Sequence, residues 1–117
     1  MTDGYIQQVA VTALTADQVL TTAMCGNVSV ATGSSADIAI TLPAAAAGLE
    51  YTIFQLSGTK DIVITSGTGD FILGDGATDD NTATLTSEIG GSIVLRAMDA
   101  TNWAVLASHG TWAYTKV

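Results

Sequence analysis

Few residues in this chain have the types that chemistry needs. His109, the single histidine, stands beside Ser108 and ten positions after Asp99. A Ser-His-Asp set requires the hydroxyl within hydrogen-bond reach of the imidazole and a carboxylate behind the ring. Neighbours on an extended chain point to opposite faces, so Ser108 and His109 do not pair by adjacency. His109 reads as an exposed turn residue. Asp75, Asp79, Asp80 and Asn81 gather oxygens that a hard cation could use. An EF-hand loop, however, closes on a later bidentate Glu, and Glu88 does not sit at that spacing. The group reads as a solvated acidic loop. The glycines of GTGDFILGDG alternate with acids, which repel a phosphate. Trp103, Trp112 and Tyr114 could form a platform for a glycan, or could pack on the sheet. We assign no catalytic residue, no metal ligand and no cofactor site from these patterns.

What remains is a pattern of strands, organised around Ile38 to Leu56. Ile38, Ile40 and Leu42 alternate with Ala39 and Thr41, the period of a half-buried strand. Pro43 ends that ladder because it has no N–H to donate. Four alanines follow, and Gly48 suits the left-handed residue that closes a one-turn helical corner. Leu49, Tyr51 and Ile53 then face one way, and Thr52, Phe54 and Leu56 the other. With apolar residues on both faces, this second strand is expected in the middle of a core.

Around this unit the alternation recurs at Val9–Ala13, Val28–Val30, Ile62–Ile64, Phe71–Leu73, Leu85, Ile93–Ala97, Trp103–Ala107 and Trp112–Tyr114. TADQVLTTAM reads equally as a strand or as a helix of about two turns, since paired threonines and Gly26 limit its length. Turn residues separate nearly all of these runs, and GDGATDDNT at 74–82 is a surface loop. About nine or ten short strands at this spacing predict an all-β fold: an antiparallel sandwich, a jelly roll or a partly closed barrel. The absence of a strict internal repeat argues against propellers and solenoids. We divide the chain into an N-terminal arm and first strand, 1–14, and a single β domain, 15–117.

Composition limits the functions open to such a domain. The 117 residues suffice for one core. That core is thin, because alanine and threonine occur 18 times each while Leu, Ile, Val and Phe make up about a quarter of the chain. Subunit contacts are therefore expected to supply part of the stability. Eleven acids against three bases (Lys60, Arg96, Lys116) give a net charge of −8. That charge repels nucleic acid and anionic membranes. Cys25 is alone, so it forms no intrachain disulfide, and it reads as a small buried side chain. MTDGYIQQ lacks the basic and apolar regions of a signal peptide, and no apolar run approaches the ~18 residues that span a bilayer. A soluble protein made in a cytoplasm is expected.

From Thr41 to Trp112 the chain resembles a known module. TLPAAAAGLEYTIFQL, DIVITS, GGSIVLRA and TNWAVLASHGTW, in that order, are similar to a β module of tailed-bacteriophage structural proteins. It is found in capsid decoration (cement) proteins and in tail-fibre or baseplate proteins. The resemblance covers about two-thirds of the chain. It implies no catalytic motif and no cofactor. It implies a homotrimer on the outer surface of the virion, bound to the major capsid protein and joining neighbouring capsomers. The module begins behind about 40 residues here, which favours a stand-alone cement protein over the end of a long fibre. Tyr5, Ile6, Val9 and Val11 are the expected capsid contacts, in an arm that could add a strand to a neighbouring edge. The rival is a tail-fibre, spike or baseplate module that binds a receptor or glycan through Trp103, Trp112 and Tyr114.

Overall fold

The computed structural model describes residues 10–117. Eleven strands and one 3-10 turn follow in order: β1 (Val11–Leu14), β2 (Gln18–Val19), the 3-10 turn (Thr22–Met24), β3 (Gly26–Ala31), β4 (Ile38–Thr41), β5 (Glu50–Ser57), β6 (Ile62–Thr65), β7 (Phe71–Leu73), β8 (Thr82–Leu85), β9 (Ser92–Ala97), β10 (Asn102–His109) and β11 (Trp112–Thr115). They form two sheets, one in the order β1-β3-β5-β9-β10-β7 and the other β11-β8-β6-β4-β2. The fold is all-β and consistent with a sandwich, as the alternation requires. No helix among the described residues is long and apolar enough to cross a membrane.

Pairing direction differs from the expected antiparallel sheet. Five of the nine strand pairs are parallel, so the first half of the chain is a coil and not a series of hairpins. From β1 to β6 the chain alternates between the sheets, placing odd strands in one and even strands in the other, each parallel to the strand two earlier. Three rungs stack in this way. β8 to β11 then add antiparallel strands beside β6, β5, β9 and β8. A solenoid-like segment was not expected because its rungs differ in length: Val11 pairs with Asn27, but Gly26 pairs with Tyr51. Unequal rungs erase the sequence period while leaving the backbone ladder intact.

Aspartates tie the rungs together at one corner. Asp17 Oδ1 accepts the N–H of Ala39 at 2.8 Å, Asp37 Oδ1 that of Asp61 at 3.0 Å, and Asp61 Oδ1 that of Ser87 at 2.8 Å. Each carboxylate thus holds a backbone donor of the following rung, a charge-assisted bond stronger than a neutral one. Elsewhere, Asp70 Oδ2 accepts the N–H of Ala45 at 2.8 Å. Several of the acids that make up the net negative charge therefore hold turns in place. Between the sheets, Ile40, Tyr51, Ile53, Ile62, Ile64, Ile72, Leu85, Ile93, Leu95 and Trp103 are fully buried.

Three local expectations are corrected. The segment from Pro43 to Gly48 is not a helical corner; it runs as an irregular connection that closes on Gly48 at φ 96°. TADQVLTTAM resolves into the two residues of β2 and the 3-10 turn. Cys25 is exposed, not buried, with Sγ 3.0 Å from Glu50 O and 3.3 Å from Glu50 N.

Candidate functional site

The Ser-His-Asp residues do not come together. In β10, Ser108 pairs with Ile93 and His109 with Ser92, so the two side chains leave opposite faces of the sheet. His109 Nε2 lies 3.7 Å from Glu88 Oε2 on the outer face. Asp99 is occupied in the β9–β10 turn, where Oδ1 accepts the N–H groups of Thr101 and Asn102, both at 2.8 Å. The Asn102 side chain and these amides hold its carboxyl down at about 2. Its contribution is therefore present above the ordinary carboxylate range and is lost as pH falls through about 2.

The acidic loop is not wholly solvated. Asp75 and Asp79 are exposed, and Asp79 Oδ2 meets Lys116 Nζ at 3.3 Å. Asp80 is turned inward, with 7% of its surface exposed, and no donor among the described residues reaches its buried Oδ2. Burial first, and then the adjacent Asp75 carboxyl, push the Asp80 carboxyl above its ordinary value. A raised carboxyl favours the fold below 3.8 and loses that contribution as pH rises through its folded value. Asp80→Asn mimics the protonated group, so it is expected to raise the melting temperature at neutral pH. The gain should vanish below 3.8, as followed by circular dichroism. Among the described residues no three metal-ligating side chains are grouped to hold a metal ion. Excess chelator is accordingly expected to leave the neutral melt unchanged, whereas a fall would assign the buried carboxylate to a cation.

The three aromatic residues do not form an exposed platform. Trp103 is fully buried, which removes it as a glycan contact. Trp112 and Tyr114 pair with Leu85 and Ala83, two buried core residues, and so face inward at the margin of the five-stranded sheet. Trp112 Nε1 is held by the carbonyls of Ser92 and His109, both at 3.0 Å. The Tyr114 ring lies over Gly74, where a Cβ would come within 2.4 Å of it.

Of the expected capsid contacts, Tyr5, Ile6 and Val9 lie outside the described residues. Val11 opens β1, is 59% exposed, and stands on the outer face of the six-stranded sheet. Among the described residues β1 has only β3 beside it, and β2 only β4, so within them the first rung leaves one edge of each sheet unpaired. An open cleft of about 470 Å³ lies between turns 15–17 and 33–38. Its two carboxylates, Asp17 and Asp37, are the corner ties already described.

Sequence reasoning missed the outer face of the six-stranded sheet. Phe54 and Leu56 are 39% and 57% exposed, although alternation placed them in a core. The signal was present in the doubly apolar β5, but it was read as burial within one chain. Comparison with family models, with curated proteins and with solved structures finds no match to this chain.

Proposed function

We propose that the chain is a viral structural protein that attaches to the outer surface of a phage capsid as a decoration protein and stabilises capsomer contacts. The resemblance over Thr41–Trp112 supports this reading. The observation that carries it is the first rung, whose two strands have no outer neighbour among the described residues at one end of the coil. Exposed edges are templates for pairing with another chain, and folded proteins usually cover or blunt them. A strand of the major capsid protein added at β1 would gain main-chain hydrogen bonds and contact Val11. The arm with Tyr5, Ile6 and Val9 would extend that contact. Several weak contacts of this kind on one particle give firm attachment, and the acidic turns then face solvent.

Purified protein should co-sediment saturably with capsids assembled without it and raise their resistance to heat. Removing residues 2–8 should weaken that binding while leaving the fold intact. Absence of binding to capsids, together with retention on a glycan array, would replace this reading with a receptor-binding tail module.

A further inference from the structure

We propose that the outer face of the six-stranded sheet, centred on Phe54, Leu56 and Val94, is where copies of this chain bury against one another. Strands apolar on both sides belong to sheets covered on both sides, and parallel strands are seldom left bare. β5 has that composition and lies among the parallel strands β1, β3 and β5, yet the described residues cover only the side of Tyr51, Ile53 and Gln55. The register lays out the bare side in rows. One runs Val11, Asn27, Thr52, Val94, Ala107, and the next Ala13, Ser29, Phe54, Ser92, His109. Short side chains surround one large ring. This terrain is smooth enough to meet a second sheet.

Charge selects the occupant. On this face Glu50 is the one acid contributed by the sheet's strands, and it is joined to Arg96 through Nε at 2.7 Å and Nη2 at 2.6 Å. The strands' own charges on this face therefore cancel on a chain of charge −8, and Glu88, from the turn before β9, adds one carboxylate at its margin beside His109. Asp17, Asp37, Asp61, Asp75, Asp79 and Asp99 stand on turns and loops instead. A second copy approaching elsewhere meets several acids, but here it meets one not paired with the strands' own arginine, Glu88 at the margin. The Glu50–Arg96 pair is also self-complementary, since a rotated copy can set its Arg96 against this Glu50. Six strands about 4.8 Å apart, averaging about six residues, make a plane of roughly 25 by 20 Å, about 500 Å² before side-chain relief. Side-chain relief brings that plane toward the ~800 Å² that each partner gives to a stable interface.

The proposal deepens the self-association that the resemblance implies and does not depend on the capsid. Sedimentation velocity and light scattering on the full chain should give a mass that is a multiple of 11.9 kDa across the micromolar range. The melting temperature should rise with concentration. Phe54→Asp with Leu56→Asp should reduce the mass to 11.9 kDa with native circular dichroism. Glu50→Arg or Arg96→Glu alone should weaken association, and the double exchange should restore it. A wild type that stays at 11.9 kDa, or a natively folded double Asp variant that keeps the wild-type mass, would overturn the proposal. Capsid binding by a monomeric wild type would overturn it too, while leaving the decoration reading intact.

Discussion

Gly58→Ala is expected to cost about 3–5 kcal/mol, among the largest effects available to a single methyl group in this chain. Gly58 has φ 103°, a conformation that L side chains rarely adopt, and an added Cβ would lie 2.0 Å from both the carbonyl oxygen and Oγ1 of Thr32. Thr32 has no freedom to retreat. It is buried, its N–H donates to Ser57 O at 3.0 Å, and its Oγ1 accepts from Lys60 N at 3.2 Å and Gln55 Nε2 at 3.3 Å. Gln55 in turn is fully buried and accepts the N–H of Glu88 at 3.2 Å. Displacing Thr32 therefore unsettles three turns together. Gly48 is the control, because its φ is 96° but nothing lies within 4 Å of an added Cβ. Gly48→Ala should carry only the backbone strain, about 1–2 kcal/mol. Urea unfolding of the two variants tests this. Equal losses would show that the Thr32 contact is relieved without cost.

Trp103→Ala should cost about 3–5 kcal/mol, the range for deleting a buried aromatic side chain. The ring is fully buried and meets Tyr51 with centroids 5.8 Å apart at 47°. Yet its Nε1 is a buried donor with no partner among the described residues. An orphaned donor carries a desolvation penalty of about 1–3 kcal/mol. Trp103→Phe keeps most of the packing and removes that donor, so it should cost less than about 1.5 kcal/mol. The contrast between the two substitutions is the test. If Phe were as damaging as Ala, the indole N–H would have to be satisfied in solution.

Strand positions were largely legible because a side chain's face is written in a period of two. Ile38, Ile40 and Leu42, like Ile93, Leu95 and Ala97, are buried where alternation places them. Direction was not legible. SGT at 57–59 and TGSSAD at 32–37 have ordinary turn composition, yet both carry the chain across to the opposite sheet and not back beside the strand just left. A turn's residues state that the chain bends but do not state where it goes next. The candidate site was half legible. Separation of Ser108 from His109 followed from extended geometry. Inward rotation of Asp80 did not follow, since a loop residue has no period to consult. Packing of Trp103 on the sheet was one of the two readings open to it, and its full burial decides between them.

Sequence alone determined the class of structure and the sign of the surface. Alternating apolar residues broken by turns leave β-sheets as the arrangement that buries one face of each strand, and eleven acids against three bases make the net charge negative whatever the fold. Tertiary structure decided which acids are ties and which meet solvent, and which side of β5 is left uncovered. Those outcomes depend on contacts between residues far apart in the chain. Asp37 with Asp61, and Phe54 beside Ser92, become neighbours only when the rungs stack.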